Sequence, residues 1–586
     1  MVRITGQHRP DRGTIGRSSA NRDYRMSTYD KASAANQTPS LPGALSRLSG
    51  PLALSWVGKP ATVVRLDVGG SFWRGVVVSE APIVYSFPAQ NVAQGRKGDL
   101  GVVPDDTPHA SAKTSTPAAE KAQAPTGANR IAAYLLFCTV AAAPLPFGSR
   151  DATTVAVWCI LLGIAVVSAS VRSLGKPQMA LLLGVGFIVA CYGFVLHEQL
   201  SDMPWIAKPH PLWAEASDLL GVGLTPSVSI AKYEAFYSLG PPLAAILALT
   251  LGLVIGSDRS RARQLLLVVG WSGVGYACYG IVSTLLEPTM ILWREKRAYV
   301  GDVTGTFINR NTAATYFGSC AAIWLLILSE RIRERLPEGP LQWRHFSHVF
   351  LSRVRKNVVF ASLAFFSCFM ALLMSGSRAG VIVSILTFVA AFTIFFRRDL
   401  PKRSGLALLV AGATSVALLL VQFLGGSVNR RFDTQNLSDE SRLDTYRSTL
   451  HIIADHPWFG TGLGTFAWSF PSYRSAEVSL RGIWTRAHST PLELAADLGI
   501  PLAVAIGLGW ILILTLLIRA ARRRRRDRIV PLVALSVALI GLLHSMVDFS
   551  LQVTGYAIVA FAVVGVGLGQ SFRTSTDQIR GEKKPV

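Results

Sequence analysis

From Arg130 onward, runs of mostly apolar residues alternate with short polar segments. All but one of the runs hold about 17 to 25 residues, and each is long enough at about 1.5 Å per residue to cross a hydrocarbon core of about 30 Å as a helix. Twelve such spans are predicted, at 131–147, 153–171, 179–196, 240–257, 264–286, 311–329, 357–375, 379–396, 405–424, 491–518, 529–546 and 551–569. The chain before them has no comparable run. Residues 1–129 are rich in Ser, Thr, Ala, Pro and Gly with scattered charge, which predicts a disordered extension. Within it Ala61 to Tyr85 alternates apolar and polar residues, as short strands would. No charged stretch followed by a short apolar run and a cleavage site opens the chain, so no removable signal peptide is expected and the first span directs insertion.

The loops carry a second pattern. Lys and Arg follow spans two (Arg172, Lys176), four (Arg259, Arg261, Arg263), six (Arg331 to Lys356), eight (Arg397, Arg398, Lys402, Arg403) and ten (Arg519, Arg522 to Arg526, Arg528), while the intervening loops are mixed in charge. Basic residues near span ends collect on the cytoplasmic side, so both termini are expected there. The fold class expected is an all-α integral membrane protein of about 12 transmembrane helices. Its organisation reads as a cytoplasmic extension over 1–129, spans one to nine within 130–424, a large and partly helical periplasmic loop over 425–490, spans ten to twelve within 491–570, and a cytoplasmic tail over 571–586. A second long outside loop runs from about His197 to Gly240. Long, ordered outside loops are where function is expected.

Composition sharpens this picture. Half of the 586 residues are hydrophobic, only 16% are charged, and mean hydropathy is +0.38, values that would demand an implausible core from a soluble protein. The net charge of +23 sits in short clusters between apolar runs, so it orients helices and nucleic acid is not an expected partner. All six cysteines (Cys138, Cys159, Cys191, Cys278, Cys320, Cys368) fall within predicted spans with no paired loop spacing, which indicates neither a disulfide framework nor a zinc site.

Three outer clusters carry candidate chemistry. Gly305 to Asn311 (GTFINRN) brings Arg310 to the start of span six. Ser375 to Gly380 (SGSRAG) is a tight turn holding Arg378 on the side where basic residues are disfavoured; snorkelling to headgroups competes there with an anionic ligand. The third is the long loop. There Arg442 to Ala454 has helical spacing with Leu443, Tyr446, Leu450 and Ile453 on one face, and Arg486 and His488 precede span ten. The Gly460, Gly462, Gly464 alternation lacks the strand-turn-helix context of a dinucleotide fingerprint and reads as a turn for close backbone packing. His488 is suited to proton exchange, against the alternative of a structural hydrogen bond. His544 and Asp548 lie four apart near the outer end of span eleven, either as a pair that stabilises the bundle or as part of a site.

In their order, PLPFGS (Pro144 to Ser149), GTFINRN, SGSRAG, SRLDTY with HPWFGTGLGTF, AHSTPLELAADLG (Ala487 to Gly499) and HSMVDFSL resemble the O-antigen ligase and polymerase superfamily of bacterial membrane glycosyltransferases. The resemblance covers about Arg130 to Gln570. It implies transfer of a glycan from an undecaprenyl-diphosphate donor to a lipid or saccharide acceptor in surface-polysaccharide synthesis, at the periplasmic face of the inner membrane, with membrane lipids as surroundings and with neither a cofactor nor a metal. The family's histidine falls on His488 and its loop and turn arginines on Arg442 and Arg378; where the family has a second small residue after Gly499, this chain has Leu502. His488 and Arg442 are then the catalytic candidates, and Arg378, Arg310, Arg486, His544 and Asp548 the substrate-binding ones. Ligase and polymerase share the donor and differ in acceptor, and the sequence does not choose between them. A multi-spanning transporter or flippase for a glycolipid is the competing class, disfavoured because no six-span repeat is visible and the polar clusters gather at one face.

Overall fold

The computed structural model describes residues 127–172, 174–335, 356–397, 440–478, 484–524 and 528–572, with 407, 410–412 and 414–415. The alternating stretch Ala61 to Tyr85 and most of the span expected at 405–424 lie outside these. The regular secondary structure of the described chain is helical apart from one small antiparallel hairpin, Met290–Ile291 with Arg294–Glu295. In chain order the helices are α1 (Gly127–Ala142), α2 (Ala152–Ser168), α3 (Lys176–Leu200), α4 (Leu212–Leu220), α5 (Glu234–Ser238), α6 (Gly240–Gly256), α7 (Arg259–Leu286) and α8 (Arg310–Arg333). They continue as α9 (Lys356–Met374), α10 (Arg378–Phe396), α11 (Glu440–Asp455), α12 (Phe466–Tyr473), α13 (Thr490–Leu498), α14 (Ile500–Arg523), α15 (Ile529–Ser545) and α16 (Thr554–Gly569). Among the described residues, seven helical segments, with α5 and α6 running together as one, are long and apolar enough to cross a membrane; α1, α2, α15 and α16 are shorter apolar helices.

The tenth expected span is not one helix. Its first part is α13, and the chain breaks at Gly499, whose φ of 85° and ψ of 160° no helix contains, before α14 begins. A Cβ at Gly499 would lie 2.1 Å from the Trp458 carbonyl oxygen, so the break exists to let another loop's backbone reach this point.

The centre of the bundle is formed by α6, α8, α15 and α16, whose side chains are largely buried. Contact between α6 and α16 is a matter of missing side chains. Gly252 and Gly256 on one helix and Gly565 and Gly569 on the other are each four apart, and a Cβ on any of them would come within 2.3–2.7 Å of the facing backbone. Small residues at this spacing let two apolar helices gain dispersion contacts that lipid tails cannot better.

Side chains at the helix ends sort the loops into two sets. At one end the Arg261 guanidinium donates to the Asn129 carbonyl (2.7 Å), Gln570 donates to the Gly256 carbonyl (2.7 Å), Arg524 donates to the Gln570 side chain (3.0 Å), and Arg263 pairs with Glu330 (2.7 Å). At the other end Thr306 donates to the Pro144 carbonyl (2.6 Å), the Gly555 amide to the Gly148 carbonyl (2.9 Å) and the Val303 amide to the Met374 carbonyl (3.0 Å). The first end is rich in Arg; the second gathers the motif-bearing loops.

Gly565→Val is expected to lower the thermal stability of the purified protein by about 1–3 kcal/mol, the usual cost of overpacking, because the facing atoms are backbone and cannot swing away. Gly184→Ala on α3, where an added Cβ meets nothing within 4 Å, should leave it unchanged. Thermal unfolding of the two variants followed in detergent checks the contrast.

Candidate functional site

At the motif-bearing end, the first turns of α8 act as a floor. A Cβ at Gly380 would fall 2.6 Å from the Ala314 methyl, so α10 starts close against α8, and Thr315 donates to the Ser550 hydroxyl (3.1 Å), so the segment after α15 rests on the same turns. Asn309 caps α8 by accepting from the Asn311 amide (2.7 Å), and Ser377 caps α10 by accepting from the Gly380 amide (3.3 Å). Arg378 is therefore the first helical residue of α10. Its Nη1 is buried with no hydrogen-bond partner among the described residues. A buried guanidinium N–H left unmatched is costly and favours an arriving anion. Arg310 also has a buried nitrogen without a partner among the described residues, its Nε, but it pairs with Asp302 (2.8 Å) and lies over the Tyr299 ring (4.8 Å), so its charge already has a counterpart.

His488 is the strained residue of the site. Its φ is 53°, a left-handed backbone that a non-glycine side chain adopts only when its surroundings impose it. The restraints are visible. The Tyr446 hydroxyl on α11 donates to the His488 carbonyl (2.9 Å), and the Glu493 carboxylate on α13 accepts from the Ala487 amide (2.8 Å) while pairing with Arg486 (2.8 Å). Arg486 also donates to Gln552 (3.0 Å), so it works as a brace between α13 and the segment following α15.

The imidazole of His488 reaches Asp548 across 60 positions of sequence, Nδ1 to Oδ1 at 3.3 Å, with its ring edge on Phe549 (5.2 Å) and Trp484 (5.7 Å). Asp548 is buried, which pushes its carboxyl upward, but the hydrogen bond from His488 and the charges of His544, His488 and Arg442 outweigh burial and hold it below the usual range. An ionised carboxylate only accepts, so Nδ1 of His488 donates and Nε2 of the neutral ring carries the lone pair. Arg442, on α11 one turn before Tyr446, donates to the Val547 carbonyl (2.9 Å). One helix thus holds both halves of the His488–Asp548 pair.

The structure departs from the sequence reading at two places. His544 does not bond to Asp548: α15 ends at Ser545, so Asp548 has left the helix and four-residue spacing no longer puts the two on one face, and His544 Nδ1 meets the Ser550 hydroxyl instead (2.9 Å). On α11 the buried face is Thr445, Ser448, Thr449, Ile452 and Ile453, with Tyr446 half-buried; of the four residues expected on it, Leu443 and Leu450 are exposed. Thr445 and Thr449 bond back to the carbonyls of Ser441 and Thr445, which makes small hydroxyls fit for a tight interface. Sequence reasoning missed Tyr446 and Glu493 as supports of His488, and a tyrosine hydroxyl bonding to a carbonyl 42 positions away leaves no local signal.

The glycine turn expected at 460–464 serves close packing. Gly460 has φ 68° and a Cβ there would sit 2.4 Å from the Asp497 backbone. Gln199, at the end of α3, donates to the Phe459 and Asp497 carbonyls (2.6 and 2.7 Å) and accepts from the Leu463 amide (3.0 Å). Beside this turn, His210 and His456 meet Nε2 to Nε2 at 3.1 Å with stacked rings. His210 Nδ1 accepts from the Leu212 amide (3.1 Å), so its proton is on Nε2 and is donated to His456. Among the described residues, no three or more His, Cys, Asp or Glu side chains converge as a metal ion would need.

Protonating either ring of the His210–His456 pair puts a second hydrogen into an occupied contact. Burial first, then the field of His456, lowers His210 to about 4, and burial lowers His456 against the opposing pull of Asp455. Both groups bind protons more readily unfolded, so the stability they lend is present above about pH 6.5 and is lost as pH falls toward about 4. Melting temperature measured across that window should fall for the natural chain and fall less for His210→Gln.

Residues 363–507 match the family model described as O-antigen ligase. No curated protein matches the chain significantly. The matched stretch runs from α9 into α14 and contains Arg378, Arg442 and His488, the residues on which the ordered motifs also rest. Over that stretch, about a quarter of the chain, this multi-pass membrane protein is similar to the O-antigen ligase family.

Proposed function

We propose that the protein transfers a glycan from an undecaprenyl-diphosphate carrier to a lipid or saccharide acceptor, at the periplasmic face of the bacterial inner membrane. The observation that carries this reading is the His488–Asp548 pair, built by strain and long-range contacts, in a chain whose residues 363–507 are similar to the O-antigen ligase family. The Arg-rich end of the bundle is then cytoplasmic by the bias of basic loops, and the site end faces the periplasm.

In the reaction an acceptor hydroxyl oxygen attacks the anomeric carbon of the donor sugar. The bond from that carbon to the diphosphate oxygen breaks, its electron pair leaves with the lipid diphosphate, and the hydroxyl proton passes to Nε2 of His488. Asp548 keeps Nδ1 protonated and stabilises the imidazolium as it forms. Arg378 supplies the guanidinium that meets diphosphate oxygens, a group charged at any physiological pH and shaped for bidentate contact. Arg442 adds positive charge to the same end and, through the Val547 carbonyl, fixes the strand of chain carrying Asp548. Arg310 and Arg486, already paired with Asp302 and Glu493, shape the site as braces. The leaving group is a good one and needs no metal in this scheme, so positioning and charge stabilisation supply most of the rate.

Purified protein given a lipid-diphosphate glycan and an acceptor should release lipid diphosphate; movement of the glycolipid across the bilayer without cleavage would instead mark a transporter. Arg378→Ala should lower transfer about 100-fold or more, as removal of a charge-stabilising donor does, with insertion intact. His488→Gln keeps a hydrogen-bonding side chain without a base and should cost about 100- to 10,000-fold; full turnover in that variant means His488 is no base. In a deletion strain, accumulation of unligated lipid-linked polymer points to a ligase, and of single repeat units to a polymerase.

A further inference from the structure

Directly after α3 the chain turns back on itself over Met203–Ala207. The backbone amides of Trp205, Ile206 and Ala207 all donate to one carboxylate, that of Glu198, at 3.1, 2.9 and 2.9 Å. Glu198 is fully buried by this fold. The side chains do the reverse: Met203, Trp205 and Ile206 are 83%, 74% and 72% exposed. Water would serve those amides equally well, and an aqueous loop has no use for three outward apolar side chains within four positions. Irregular backbone whose donors are satisfied internally, with apolar side chains outside, is what an apolar solvent selects.

The position agrees. The Trp205 ring packs on His197 (4.2 Å) and near Phe194 (6.2 Å), so the turn lies along the last part of α3 instead of rising away from it. The outward face of α3 continues below with Leu183 and Phe187 exposed, the surface a spanning helix offers to lipid. Lys208, exposed, follows the turn and suits anionic headgroups. We propose that Met203–Ala207 is a membrane-interface hook, inserted among phospholipid headgroups and upper acyl chains in the leaflet where the site end of the bundle emerges. The hook braces the site, because Glu198 holds it while the adjacent Gln199 holds the Phe459 and Asp497 carbonyls. The depth of the turn packed against α13 is thereby referred to the lipid surface. This does not depend on which reaction the site performs.

The test uses the full chain reconstituted in vesicles of phosphatidylethanolamine and phosphatidylglycerol. With the six cysteines replaced, Ile206→Cys carries an environment-sensitive fluorophore, and Asp218→Cys, an exposed polar position on α4, is the reference. At 206 the emission shifts to the blue, spin-labelled lipid quenches it and aqueous iodide does not; at 218 the pattern reverses. Glu198→Ala frees the three amides and restores iodide quenching at 206. Iodide quenching at 206 equal to that at 218 overturns the proposal, and protection from both quenchers does so too, since protein would then cover the segment. In the unaltered chain, a phospholipid with a photoactivatable group near its headgroup crosslinks to the peptide holding 203–207; a peptide free of lipid in that experiment also overturns it.

Discussion

Inside a bilayer, a backbone amide or carbonyl without a partner costs several kcal/mol, and no water is there to supply one. Much of this structure follows from that constraint. It makes the spans helical, and it governs where helices end. The carbonyls of Gly256 and Gly569, at the ends of α6 and α16, are taken by glutamine amides from Gln570 and Gln178. Gln199 does the same for Phe459 and Asp497, and Glu198 collects three amides from a segment that is not helical at all. Within the helices Thr139, Thr315, Ser319 and Ser536 bond back to carbonyls four residues earlier, so their hydroxyls enter the interior already satisfied.

The same constraint explains why small residues matter. Helices that cannot be driven together by water must be drawn together by close contact, and the glycines of α6 and α16 permit it. The break at Gly499 uses glycine differently. It ends α13 so that the Trp458 carbonyl can approach and the Ile500 amide can donate to the Pro457 carbonyl (2.8 Å). A polar loop is thereby fastened at the mouth of a helix pair without leaving its backbone unpaired.

The apolar helices were legible from hydropathy because the bilayer imposes a length and a composition on each one. What hydropathy could not show is where an apolar run is interrupted for a tertiary reason: 491–518 reads as continuous, and only the approach of Trp458 explains why it is two helices. The face of α11 was read only in part for a related cause. Periodicity finds a core by its large apolar side chains, and it found Ile453, but much of this interface is packed by Thr and Ser, leaving Leu443 and Leu450 outside. Arg378, Arg442, His488, His544 and Asp548 could all be picked out as residue types unusual near a membrane surface. Their partnerships could not, since His488 meets Asp548 and Tyr446 meets His488 through contacts that follow no local rule.

The distribution of these contacts says something about how such a site can exist in a membrane protein. A histidine base, the role proposed for His488, needs one ring nitrogen fixed and the other open, and a lone histidine on a loop has neither property. Here His488 sits in a left-handed backbone, its carbonyl held by Tyr446, the preceding amide held by Glu493, and its Nδ1 held by a carboxylate that burial alone pushes toward the neutral form. Arg442 contributes to keeping that carboxylate ionised and, by its hydrogen bond to Val547, keeps it in place. Arg442 and Tyr446 lie one turn apart on α11, so seating that helix brings Asp548 and His488 together in a single step. The strain is local and the restraint is spread over three segments, which is how a costly conformation persists at a surface where loops would otherwise relax.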